Sequence, residues 1–249
     1  MVSFVTKILS LLLLTYVIAI SQTTTQKIAG PAVEQKKASS GNHYTIIHKG
    51  DASIKFTTTR PVKENKKVLC CIAAAFTRLD DGKVDGAYAV DGKIGNAFLN
   101  RRLGGTICLT GNIFSIQPLD TTWGKKLKPA YQAELEINKA SFFQQIQLII
   151  NGKAEKFKDT QLFQRRAIVT FMNAKTKRVD KLAIIESIEP ITLAAFSNDL
   201  VELGAYNALY TDMGAWDEGW YRDAKGEIKI IGTNLSQTAK QSNWVIFTK

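Results

Sequence analysis

The sequence predicts an α+β fold, mostly β, with mixed sheets and a few helices in a single domain. Three observations carry this. Short apolar runs bounded by charged residues recur along the chain as buried strands do, Val68–Phe76 being the longest of them after the N-terminal segment. Two-residue turn pairs, Asp91-Gly92 and Gly111-Asn112, sit between such runs in the manner of hairpins. One helix alone is well marked: Thr192 follows Pro190 as its N-cap, Leu193, Phe196, Leu200 and Leu203 share a face, and Gly204 ends it. Many strands and few helices argue against an alternating parallel sheet. No internal repeat of 20 to 50 residues is present.

The chain opens with Lys7 and an apolar run from Ile8 to Ile20, closed by Ala19-Ile20-Ser21. A basic start, a short apolar stretch and small residues define a secretory signal, so residues 1–21 are expected to be removed. The run falls short of the roughly 20 residues of a spanning helix, so no stable membrane span is expected after cleavage. The mature protein is expected to be secreted or periplasmic. Residues 22–42 are rich in Thr, Gln, Lys, Ser and Gly and read as a flexible leader. The remainder, residues 43–249, suits one domain.

Along that domain the first expected strand is Tyr44–Ile47, followed by Val68–Phe76. Asp80-Asp81-Gly82 makes a turn into Val84–Val90, and Asp91-Gly92 leads into Lys93–Asn100. Ile107–Thr110 and Ile113–Ile116 flank the second hairpin turn. Phe142–Ile150 carries both periods and is expected to be a short helical turn running into a strand. Arg166–Phe171 and Lys181–Ile185 are strands joined by a polar link, and Ala208–Thr211 follows the helix.

The net charge of +11 favours anionic partners, but the lysines are dispersed, without the clustered basic and aromatic element of a nucleic-acid surface. Nucleic acid is therefore not expected as a partner. Cys70, Cys71 and Cys108 allow one disulfide at most, through Cys108, and the run around Cys70-Cys71 suits buried thiols better. His43 and His48 have no nearby cysteine, so no zinc site is expected. No nucleophile elbow, Walker loop or dinucleotide fingerprint occurs.

The densest chemistry lies between Gly204 and Gly226. Asp212 ends a short apolar run, and Gly214, Trp216, Asp217, Glu218, Trp220, Tyr221, Arg222 and Asp223 follow. Carboxylates, indoles, a phenol and a guanidinium among glycines suggest a binding or catalytic loop. Asp212, at a strand end, is either a rigidly held functional carboxylate or a turn cap before Gly214. Asp217 and Glu218 are either the second member of an acid/base pair or a solvated acidic turn. Trp216, Trp220 and Tyr221 suit stacking on a sugar face, or else pack in the core. Arg222 is either a second anion contact or the partner of a neighbouring carboxylate. Ca²⁺ or Mg²⁺ is conceivable at the carboxylates, but the spacing matches no calcium loop, and no metal or other cofactor is expected.

The order of features resembles the phosphodiester glycosidase family, that of the enzyme which uncovers mannose 6-phosphate by removing an N-acetylglucosamine. Arg165-Arg166-Ala167-Ile168 in a strand, an apolar strand, a Thr-capped helix ending in Leu203-Gly204, then a strand into Asp212 and Gly214 carry the resemblance. Ala74-Ala75-Phe76 with the Asp91-Gly92 hairpin, and Asn243–Phe247 as a closing strand, extend it. The family's glycine-rich turn is reduced here to Gly214, between Met213 and Ala215, and the Asn and glycines before its Phe are alanines. Glycines there would let backbone N–H groups approach an anion. The resemblance implies an exported hydrolase of a glycosidic bond in a sugar phosphodiester. Asp212 with Glu218 or Asp217 would do the acid/base work, and Arg166 would hold the anion in its planar fork. Gly214, Trp216, Trp220, Tyr221 and Arg222 would complete a site for a carbohydrate or sugar-phosphate substrate. The alternative is a catalytically inactive carbohydrate- or surface-binding protein on the same fold.

Overall fold

Every pairing between the strands described below is antiparallel. The structure, a computed structural model, describes residues 30–120, 122–232 and 235–249. The expected signal segment lies outside the described residues. In chain order the strands are β1 (Val33–Lys37), β2 (His43–His48), β3 (Ser53–Thr57), β4 (Val68–Ala73), β5 (Tyr88–Val90), β6 (Lys93–Asn96), β7 (Gly105–Thr110) and β8 (Ile113–Pro118). After α1 (Pro129–Ile137) come β9 (Ser141–Gln145), β10 (Gln147–Ile150), β11 (Lys153–Ala154), β12 (Arg166–Met172) and β13 (Val179–Ser187). Helix α2 (Leu193–Glu202), β14 (Asn207–Tyr210), β15 (Gly219–Arg222), β16 (Ile228–Ile231), a 3-10 turn at Thr238–Lys240 and β17 (Trp244–Thr248) complete the chain.

The α+β class with mixed sheets is thus corrected. The molecule is a β-rich single domain of three antiparallel sheets, with two α-helices among the described residues. The physical reason lies in the connections. β1–β2, β5–β6, β7–β8, β12–β13 and β15–β16 are joined by links too short for the crossover that a parallel pair requires.

A seven-stranded sheet runs β1-β2-β13-β12-β14-β10-β11, and two five-stranded sheets run β16-β15-β4-β17-β3 and β6-β5-β9-β7-β8. Ile168, Ile184 and Leu209 of the first, Phe56, Ile72 and Phe247 of the second, and Ile107 and Phe143 of the third pack into one core. The opposite face of the seven-stranded sheet, through Val169, Ile185 and Ala208, is covered by Phe196 and Leu200 of α2. Its central strands are therefore apolar on both faces, which is why Arg166–Phe171 reads as a continuous run rather than an alternation. Thr192 caps α2 as expected, its Oγ1 accepting from Ala195 N at 3.1 Å.

Three other expectations change. Phe142–Ile150 has no helical turn: it is two strands in two sheets, β9 and β10, with Ile146 at the corner. Val33–Lys37, inside the expected leader, is an edge strand held by backbone pairing to β2, so its polar composition gave no strand pattern. Gly219–Arg222, expected as loop, is β15, paired on one side to β16 and on the other to β4. Cys70, Cys71 and Cys108 are all free, and burial pushes the Cys70 thiol up to about 12.

Candidate functional site

β14 leaves the seven-stranded sheet at Tyr210, and the chain then crosses to the end of β4. Thr211 N donates to Arg166 O at 3.1 Å and Asp212 N to Ala74 O at 2.8 Å, so Asp212 sits at a seam between two sheets. Its carboxylate accepts from Thr77 N at 3.1 Å. The β4 end is itself fixed by Asn243, whose amide accepts from Ala75 N at 2.7 Å and donates to Ala75 O at 3.0 Å. Asp212 is partly exposed. Burial pushes its carboxyl up to about 7, against the lowering hydrogen bond from Thr77 and with the charge of Asp217 adding to the rise.

Beside this seam opens a cleft of about 510 Å³, lined by Phe76, Ile146, Phe163, Gln164, Arg165, Leu193, Tyr210, Met213, Gly214, Ala215 and Asp217. That volume lies within the range of small-molecule sites. Adjacent residues of a strand point to opposite faces, and here the face matters. Arg165 shares the α2 side with Ala167 and Val169 and lines the cleft, whereas Arg166 shares the central-core side with Ile168. The resemblance favoured Arg166 as the anion contact. In the structure Arg166 is fully buried, donating to Asp217 through Nη1 at 2.7 Å and Nη2 at 2.8 Å, and to Glu186 through Nε at 2.5 Å. Burial alone would lower the guanidinium's pKa, but Asp217 and Glu186 outweigh it and hold it above the ordinary value. Gln164 and Gly232 N, each at 2.9 Å, satisfy the other Glu186 oxygen. Gly232 is required there: its φ is +86°, and a Cβ would stand 2.4 Å from Asp217 Oδ2.

Arg165 is tied as well. It pairs with Asp159 at 2.8 Å, and donates to Gln161 O at 3.0 Å and Ile191 O at 3.1 Å. Asp159 in turn accepts from Leu193 N at the start of α2.

The remaining candidates scatter. Glu218 is paired with Arg60. Trp216 is half-buried, donating to Gln237 Oε1 at 3.2 Å beneath Lys240. Trp220 is fully buried with Val68, Cys71 and Trp244, because β15 is an inner strand of its sheet and Trp220 points to its packed face. Tyr221 packs against the central core. Arg222 is buried and binds carbonyls: Val68 O at 2.9 Å, Gly226 O at 3.1 Å and Lys63 O. Gly214, with φ +128°, lies at the cleft with open space around it. The structure therefore places Gly214 and Asp217 in the cleft lining and Asp212 between its residues Tyr210 and Met213 in the chain, at the seam, and leaves Glu218, Trp216, Trp220, Tyr221 and Arg222 away from the lining. Of the adjacent pair Arg165 and Arg166, which a strand turns to opposite faces, sequence reasoning chose Arg166 where the cleft has Arg165, and it missed Gln164, Phe163 and Ile146. Among the described residues, no three His, Cys, Asp or Glu side chains are grouped to hold a metal ion. Nor, among them, is any helix long and apolar enough to cross a membrane.

Fold and site together define a β-rich, antiparallel protein with a carboxyl at a sheet seam beside a cleft. No family model matches the chain, and no curated protein matches it. Among solved structures, it is similar to the catalytic domain of zebrafish N-acetylglucosamine-1-phosphodiester alpha-N-acetylglucosaminidase, auto-inhibited by its pro-peptide. The TM-score is 0.56 at 12% identity, over 92% of this chain and 86% of that one. A hypothetical protein from Synechocystis matches with the same score and identity over 88% of this chain and 62% of that one. At such identity the likeness is one of fold.

Proposed function

We propose that the protein is a hydrolase of a glycosidic bond, with the cleft as its active site and Asp212 as general acid. The observation that carries this is the place of Asp212: a partly exposed carboxyl at a strand end, one residue before Met213 and two before Gly214 of the cleft lining, which burial pushes up to about 7. A general acid works best with a pKa close to the operating pH. The likeness of fold to a glycosidase catalytic domain supports the same reading. Asp217, bidentate to Arg166 at the cleft wall, would stabilise positive charge developing on the sugar without itself moving a proton.

A phosphodiester substrate would call for a cation with charge to spare. Arg165 and Arg166 already face Asp159, Asp217 and Glu186, so charge balance favours a glycoside without a phosphate. The second reading is an inactive carbohydrate-binding protein, favoured by the engagement of Asp217 and Glu218 in ion pairs. Assay of the purified protein against p-nitrophenyl glycosides and a sugar-1-phosphodiester separates the two. Turnover lost in Asp212→Asn supports the hydrolase. No turnover, with carbohydrate binding unchanged in Asp212→Asn, supports the binder. Secretion or passage to the periplasm, with a working domain that includes β1 from Val33 onward, belongs to the same proposal. It is tested by N-terminal sequencing of exported protein, expected to begin at Gln22.

A further inference from the structure

The walls of the cleft carry information that the acid does not. They include the apolar side chains of Met213, Phe76, Ile146 and Leu193, the ring of Tyr210, and Phe163, which reaches solvent. Phe163 is 53% exposed and its neighbour Leu162 63%, an apolar rim left in water beside an apolar trough. The polar lining is engaged internally: Arg165 with Asp159, Gln164 with Glu186, Asp217 with Arg166. Burial also raises the Tyr210 phenol, keeping it protonated and uncharged. A carbohydrate-only groove would present free side-chain donors and acceptors along its length; this one has few polar side chains in its lining, with Gln164, Arg165 and Asp217 among them already engaged.

We propose that the substrate is an uncharged glycoside with an alkyl or aryl aglycone, and that this aglycone lies along Phe76, Ile146 and Leu193 toward Phe163. The inference rests on the reading of the cleft as a glycosidase active site. In the reaction the anomeric carbon–oxygen bond breaks, and Asp212 gives its proton to the aglycone oxygen. Water supplies hydroxyl to the sugar and returns a proton to Asp212, and the apolar alcohol leaves by the mouth.

The test is a titration of Asp212→Asn, which cannot turn over on this reading, with n-alkyl glucosides from methyl to octyl. Each methylene that becomes buried should tighten binding about fourfold. The gain should flatten in Asp212→Asn/Phe163→Ser, whose second change lies at an exposed position and spares the core. Octyl phosphate should bind no more tightly than octyl glucoside. Affinity independent of chain length, or a gain unaffected by Phe163→Ser, overturns the proposal, as does octyl phosphate binding tenfold tighter. Chain-length dependence without turnover in the wild type defeats only the hydrolase reading. Turnover without chain-length dependence defeats only the aglycone proposal.

Discussion

Arg165 and Arg166 are covalent neighbours in two different media. Arg165 looks out at a cleft, holds one carboxylate and spends its other bonds on backbone carbonyls. Arg166 points the other way into a dry interior, where Asp217 and Glu186 surround it. The pleat of one strand thus turns one arginine, still 8% exposed, to a cleft wall and the other into the core. Arg166, fully buried between two carboxylates, costs more to disturb than Arg165, whose one carboxylate partner, Asp159, is part-exposed.

The largest break of that comparison is Arg166→Met. It leaves Asp217 and Glu186 facing each other without a counter-charge, and should cost about 3–5 kcal/mol in denaturant unfolding. Adding Asp217→Asn should recover part of the loss, as a double-mutant cycle would show. Next comes Gly232→Ala, which places a methyl against Asp217 Oδ2 at a left-handed backbone position. A loss of about 2–3 kcal/mol is expected, read as a lowered midpoint of thermal unfolding.

The pH prediction concerns Asp212. Its folded pKa lies above the unfolded one, so the folded state binds the proton more tightly, and stability drops as pH rises from about 4 through about 7. Asp212→Asn should therefore be more stable than wild type at pH 8, by up to about 4 kcal/mol, and near parity at pH 3.5. Activity should likewise fall as pH rises through about 7. The smallest effect is expected of Trp216→Ala, outside the cleft lining, at about 1 kcal/mol or less with kcat/KM unchanged. A large loss of turnover there would return the indole to the site.

How much of this was legible follows from which physics each residue obeys. The cap of α2, the Gly111-Asn112 hairpin and the strands β2, β4, β12 and β13 are written in local pattern, and all are present. α1 was missed because it is only weakly amphipathic, with Leu135 its buried residue. β15 was missed because Trp220, Tyr221 and Arg222 have the composition of a binding loop, although Ile228–Ile231 beyond the Asp223–Gly226 turn offered a hairpin partner. The place of Asp212 at the end of β14, two residues before Gly214, was legible because a strand end before a glycine is a local signal. The reversal of Arg165 and Arg166 was not, since alternation says that two neighbours part ways without saying which side holds the cavity.

The place of β17 has a consequence for how the molecule comes into being. β3 and β4 do not pair with each other; each pairs with β17, which is made after all the other strands. Asn243, just before it, grips the backbone beside the Asp212 seam. During synthesis the five-stranded sheet must wait with a slot open between β4 and its edge strand β3. The last strand fills that slot across the whole sequence distance, a closure of high contact order. Until it arrives, the seam at Asp212 lacks its Asn243 clamp, so that seam is completed only with the final strand.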